Sequence, residues 1–436
     1  MNLKHKANTT QKKTTASANR NKKTYLLPWL CILMLSVSIL HPAAAQPLIV
    51  HAAGTGGIKG NNLPAGYVTE QQMKLANPWT DTNEMPLFNV MRKAQSGQRV
   101  TIALIGGSIT KGTMSTGTRD ESMNKKLTYF DYFTNWWYKT FPKADLLFVN
   151  AGISATDSYL GVHRVQKDVL DRKPDLVLVE FAVNDKKTAY HRQAYENLVR
   201  KILDSPTKPA VMLLFMSKLN GWSCQLQQAK IGSHYHLPML SYANVMKDMI
   251  GKGIYTMEEL SGDAIHPSAL GSAVIGEILV RYLDSIQKKS LGQVSYKKVP
   301  STYVTSKKYG SAKLLSCKDI KIQRMGTFER SSKSQIFPDN LTTGSGNGDL
   351  TFTVTGKNIG ILFAQQINGR GGQFDVYVDG KKTATIDADN SGGRHNKPGS
   401  VPCYSSNTKK THTVRIVRNQ KSSGRALTIY GVLVSN

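Results

Sequence analysis

The sequence predicts an α/β domain built on a parallel sheet, followed by an all-β module. Short, continuous apolar runs recur at residues 100–105, 145–149, 175–181 and 210–216, and helix-length stretches, 127–140, 158–172 and 188–203, separate them. Strands without polar alternation are buried on both faces, as in a parallel sheet covered by helices on each side. From about Leu291 the helical pattern disappears and alternating segments take over.

The elements follow in order. Lys12, Lys13, Arg20, Lys22 and Lys23 precede an apolar run, 25–40, and then His-Pro-Ala-Ala-Ala-Gln. A basic segment, a short apolar segment and a small-residue site make residues 1–45 a secretory signal peptide, cleaved after Ala45. The run is short for a membrane span, which needs roughly 20 residues, so membrane attachment is expected only if the signal stays uncleaved. Residues 46–97, rich in Gly, Asn and Pro, read as an extended lead-in. The α/β domain occupies 98–290, with a weaker fifth strand at 237–240 and a final helix over 267–286. Residues 287–308 connect it to the β module, 291–436. There LTFTV (350–354) and QFDVYV (373–378) alternate, Asp379-Gly380 reads as a hairpin turn into 383–386, and 411–417 and 426–434 are further strands. The simplest architecture is a small sandwich.

The chain carries a net charge of +28 over 436 residues. Without the first 45 residues it is +21, divided as +7 over 46–290 and +14 over 291–436. Such a surface attracts polyanions. With an export signal, an anionic cell-wall or matrix polymer is a more fitting partner than nucleic acid. Three cysteines follow the signal, Cys224, Cys317 and Cys403. They suit no zinc site, and Cys317 and Cys403 are either paired or both thiols.

Four segments stand at strand ends or in loops of the α/β domain. In TIALIGGSITKG (101–112) a strand runs into Gly106-Gly107-Ser108, placing a serine on a glycine turn with its own N–H available to an oxyanion. The loop lacks the Lys-Ser/Thr ending of a P-loop and the spacing of a dinucleotide-binding turn. VNAGISATDS (149–158) puts Gly152 past the second strand, and EFAVNDKK (180–187) puts Asn184 past the third. A glycine N–H and an asparagine amide are neutral donors suited to a developing oxyanion. In SGDAIHPSALG (261–271) Asp263 precedes His266 by three residues, close enough to fix the imidazole tautomer and free its other nitrogen to take a serine proton. The remaining histidines, His163, His191, His234 and His236, read as surface or packing residues. Nothing in the sequence places Trp222 or Tyr235 at a cleft.

The blocks GGSIT, NAGIS, PDLVLVEFAVND and DAIHPS, in that order over residues 98–287, resemble those of the SGNH/GDSL hydrolase superfamily. The resemblance implies a flavodoxin-like three-layer α/β/α sandwich with Ser108 as nucleophile, Asp263 as orienting acid and His266 as general base. It implies an oxyanion hole of the Ser108 N–H, Gly152 and Asn184. The familiar Gly-Asp-Ser is here Gly-Gly-Ser, and the Gly two residues before the block-three Asn is Ala182. Neither departure removes a catalytic group.

Together these readings predict a secreted serine esterase acting on short, acetyl-type esters of a polysaccharide, with no metal and no organic cofactor. A lipase or lysophospholipase and a polysaccharide O-acyltransferase use the same triad and stand as alternatives. A catalytically silent polyanion-binding surface protein is the alternative from another class.

Overall fold

The computed structural model describes residues 48–51, 63–115, 127–344, 346–393, 395–422 and 424–436. The expected signal peptide lies outside these residues.

The first sheet contains β1 (Leu48–His51), β2 (Arg99–Gly106), β3 (Asp145–Gly152), β4 (Leu176–Glu180), β5 (Ala210–Phe215) and β6 (Met239–Ser241). Its order is β1-β3-β2-β4-β5-β6. β2 to β6 are parallel, while β1 pairs antiparallel with β3 at the edge. Counted from β2, the parallel strands run 2-1-3-4-5, the flavodoxin-like order. In that order, ligands bind outside the carboxyl ends of the strands at the point where the winding reverses. Here that point lies beside the ends of β2 and β4.

Ten helices are described: α1 (Glu70–Ala76), α2 (Met85–Gln95), α3 (Ser108–Lys111), α4 (Tyr129–Thr140), α5 (Ser158–Asp168), α6 (Ala189–Leu203), α7 (Gln225–His234), α8 (Tyr242–Gly251), α9 (Met257–Leu260) and α10 (Ala269–Gln287). Side chains of β2 alternate between two cores. Val100, Ile102 and Leu104 join α2, α4, α8 and α10 on one face, whereas Ala103 and Ile105 join α5, α6 and α7 on the other. The sheet is therefore buried on both sides, which explains its unbroken apolar strands.

The segment expected as an extended lead-in is folded from residue 63 onward. Thr69 closes a capping box at the start of α1. In α2, Pro86 sits in the first turn, and Leu87, Phe88, Met91 and Ala94 are buried at helical spacing against α10 and β5. Their burial fixes this segment as part of the sandwich.

The second sheet is antiparallel and has nine strands: β7 (Lys313–Leu315), β8 (Lys321–Arg324), β9 (Glu329–Ser331), β10 (Asn340–Thr343), β11 (Gly348–Gln365), β12 (Gln373–Val378), β13 (Lys381–Asp387), β14 (Lys397–Arg418) and β15 (Leu427–Ser435). β11 and β14 pair along their whole length, with register shifts near Gly356 to Gly360. The first half of β11 also pairs with β8 and the second with β15, so the two long strands pass through both halves of the sheet. Inward residues such as Phe352, Ile361, Phe374, Val376, Ile416 and Ile429 share one core. Asp379 (φ 51°) and Gly380 (φ 82°) make the expected hairpin turn between β12 and β13. Cys317 and Cys403 are buried thiols in this core and are not bonded to each other. Cys317 Sγ donates to the Ile429 carbonyl at 3.3 Å and Cys403 Sγ to that of Val401 at 3.4 Å.

The two sheets do not have wholly separate cores. Tyr309, Ala312, Phe337, Leu362 and Leu433 pack into the α5/α6 side of the first. Gly360 of β11 lies so near the Tyr159 hydroxyl that a Cβ there would stand 2.4 Å from it.

Candidate active site

The nucleophile turn is built by the end of β2 and the short helix α3. Gly106 is aligned with Gly152 of β3 and Glu180 of β4. Gly107 caps α3 and Ser108 is its first residue, 8% exposed. Side chains lock the turn from below. The Thr110 hydroxyl donates to Glu180 at 3.0 Å, and the Gly107 N–H also bonds that carboxylate. The buried Arg164 guanidinium donates to the carbonyls of Gly106 (3.1 Å) and Ala151 (2.7 Å), tying the ends of β2 and β3 together. Burial pushes the Glu180 carboxyl up to about 7, partly opposed by the Thr110 and Gly107 hydrogen bonds.

Asp263 and His266 approach from the loop between α9 and α10. His266 Nε2 lies 2.8 Å from Ser108 Oγ, and its Nδ1 lies 2.6 Å from Asp263 Oδ2. Asp263 Oδ1 also accepts the N–H groups of Ile265 (3.0 Å) and His266 (2.7 Å), with Ala264 turning through φ 70° between them. Burial raises the Asp263 carboxyl, but the His266 ring and these two N–H groups outweigh it and hold the group below its ordinary 3.8. An ionised Asp263 fixes Nδ1 as the protonated nitrogen and leaves Nε2 as acceptor.

A second tie binds this loop to the nucleophile turn. The Ser115 hydroxyl donates to the His266 carbonyl and accepts the Gly262 N–H, each at 2.7 Å. Ser261 donates to the same carbonyl at 2.7 Å. Sequence reasoning missed Ser115, because it acts across more than a hundred residues of chain.

Asn184 stands beside the nucleophile turn. A Cβ at Gly107 would lie 2.3 Å from its Oδ1 and 3.0 Å from its Nδ2, so the carboxamide rests against the Gly107 Cα. Gly152 departs from expectation. It is the last residue of β3, and its N–H donates to Asn150 Oδ1 at 2.9 Å rather than standing free for an oxyanion. Asn150 in turn donates to the Thr110 carbonyl at 2.7 Å. A Cβ at Gly152 would meet Lys111 N at 2.3 Å. Gly152 therefore lets β3 lie against α3. Past it, the chain turns through Ala155 (φ 60°), and the N–H groups of Ser154 and Ala155 have no hydrogen-bond partner among the described residues.

The other singled-out residues lie elsewhere. His163 and His191 are buried and bonded, to the Tyr159 carbonyl and to Thr188 and Asp157 respectively. Tyr235 is buried on Glu196. Trp222 is half-buried beneath Lys187, whose ammonium is 4.8 Å from the ring centroid. Among the described residues, no cluster of three His, Cys, Asp or Glu side chains is spaced to hold a metal ion. No described helix is long and apolar enough to cross a membrane.

Neither a protein-family model nor a curated protein matches this sequence. Among solved structures, the chain is similar to a two-domain esterase (CEX) active on acetylated mannans, also solved with mannopentaose. The two share 27% identity at a TM-score of 0.74, over 84% of this chain and 98% of that one. An acetylxylan esterase from Geobacillus stearothermophilus, solved as a catalytic mutant, is 16% identical at a TM-score of 0.35, over 42% of this chain and 94% of that one. Fold and comparison define the class, a carboxylic ester hydrolase. Within it, the chain has the two-part build of the mannan-active esterase, an α/β sandwich followed by an antiparallel β module.

Proposed function

We propose that this protein is a secreted serine esterase that removes acetyl groups from a polysaccharide. The observation that carries the reading is the continuous hydrogen-bonded line from Asp263 through His266 to Ser108. Its support for a glycan substrate is the similarity, across both parts of the chain, to an esterase active on acetylated mannans.

Ser108 Oγ attacks the ester carbonyl while His266 Nε2 takes its proton, and the imidazolium is stabilised by ionised Asp263. The oxyanion is held by the Ser108 N–H and the Asn184 amide, with a third donor from the free N–H groups of Ser154 and Ala155. Collapse breaks the ester C–O bond and expels the sugar oxygen, which takes the proton from His266 and leaves as a hydroxyl. Water, deprotonated by the same base, then releases acetate from Ser108. Export rests on the N-terminal signal pattern of residues 1–45.

The test is hydrolysis of p-nitrophenyl esters from acetate to palmitate, beside Ser108→Ala. Activity that is highest on acetate and absent in the variant is expected. Rates that rise with acyl length would replace the acetyl-esterase reading with a lipase, and activity surviving in Ser108→Ala would remove the nucleophile assignment.

A further inference from the structure

A cavity of about 550 Å³ opens between the beginnings of α6 and α7, with Val304 and Thr305 of the connecting segment as its far wall. That volume lies within the range of small-ligand sites, about 300–1,000 Å³. Both helices start after the carboxyl ends of their strands, β4 and β5, so the cavity is on the same edge of the sheet as Ser108. Lys187, at its mouth, follows Asn184 by three residues, which limits their Cα separation to about 11 Å. The neighbouring loop is also tied to the triad, since the Leu219 N–H donates to the Ala264 carbonyl at 3.0 Å.

The lining is one-signed. Lys187, Arg192 and Lys230 border the cavity, and no carboxylate does. None of the three forms an ion pair among the described residues, although 18 such pairs occur elsewhere, and Lys218 adds a fourth cation near Trp222. Two acidic groups of the flanking elements are consumed inside the protein. Glu196 is buried and accepts from Tyr235, Val304 and Thr305, and Asp185 is buried and bonded to Ser158 and Gln228. All three are exposed, and together they give the cavity a positive field that favours an anion there. Gln193, Gln227 and Thr305 add polar groups able to meet hydroxyls.

We propose that this cavity is a subsite for an anionic sugar residue, a uronate carboxylate, on the same polysaccharide chain that carries the ester. The inference rests on the polysaccharide-esterase reading and adds to it that the preferred polymer is acidic. Lys187 and Arg192 hold the carboxylate, and Lys230 closes the far side.

Calorimetry of the protein with non-acetylated tetragalacturonate, mannotetraose and inorganic phosphate tests this without requiring turnover. Tetragalacturonate is expected to bind at least tenfold more tightly than mannotetraose, and to weaken as sodium chloride is raised. The combined Lys187→Ala, Arg192→Ala, Lys230→Ala variant is expected to lose at least tenfold in affinity for it, with an unchanged melting temperature. Lys230→Gln alone should show a smaller loss in the same direction. Absence of tetragalacturonate binding overturns the proposal. So do equal affinity for mannotetraose, unchanged binding by the triple variant, or capture of phosphate alone. Failure of the esterase reading would appear separately, as no Ser108-dependent hydrolysis of p-nitrophenyl acetate alongside intact tetragalacturonate binding.

Discussion

Replacing Gly107 with alanine isolates the contribution of Asn184 without touching it. The added Cβ would lie 2.3 Å from Asn184 Oδ1, whereas ordinary contact begins at 3.4 Å, so the carboxamide must retreat by roughly 1 Å. The neighbour is the tip of a movable side chain, and Gly107 has a negative φ of −89°, so the fold itself has little reason to suffer. Stability should change by no more than about 1 kcal/mol. Catalysis should change far more. A misplacement of that size costs about 10² in rate, and complete loss of one oxyanion donor costs about 10²–10³. Gly107→Ala should therefore lower kcat on p-nitrophenyl acetate about a hundredfold, with KM nearly unchanged. Asn184→Ala should equal or exceed that loss. In the Asn184→Ala background, Gly107→Ala should cost almost nothing more, because the group it displaces is gone. Wild-type kcat in Gly107→Ala, or a second full hundredfold loss in the double variant, would refute the reasoning.

Three further outcomes follow from the same geometry. Asp263→Asn presents an amide N–H to His266 Nδ1, forces the other tautomer and should lower kcat by about 10⁴ while leaving the melting temperature within a few degrees. Retained activity in that variant would remove Asp263 from the triad. Glu180 has its carboxyl raised to about 7 by burial, so an unfolded chain, ionising near 4.5, loses this proton first. Native stability should fall by on the order of 3 kcal/mol as pH rises from about 4.5 to 7 and then level off. Melting curves of Glu180→Gln across that window should be flatter than wild type, and parallel curves would show that Glu180 does not carry the pH dependence. Gly152→Ala meets Lys111 backbone rather than a movable tip, so it should cost about 1–3 kcal/mol or more and disturb α3. Unchanged stability there would undo its reading as a packing glycine.

The sequence was most legible where the information is local. Asp263 and His266 lie one turn of chain apart, and each apolar strand declares itself within a few residues. Asn184 was readable only as a donor past a strand end, since its seat against Gly107 arises from the β2–β4 pairing. The sequence offers Gly152 as a free donor past a strand, whereas β3 continues beyond Val149 and its register with Gly106 brings α3 down on top of it. Pro86 and the spacing of Leu87, Met91 and Ala94 spell out the start of helix α2, but the Gly-, Asn- and Pro-rich residues around it carry no helical signal. Ser115 and Arg164 carry no local signal, and their roles exist only once distant strands meet.

The shared core also sets an order of assembly. The flank of α5 and α6 is completed by Leu362 and Leu433, on strands that follow every helix of the α/β half in the chain. During synthesis that flank stays uncovered while the hydrolase half is already made, and closing it requires long-range pairing, which is slow. A chain that completes its first core only with a late strand keeps that flank open until its C-terminal residues are made.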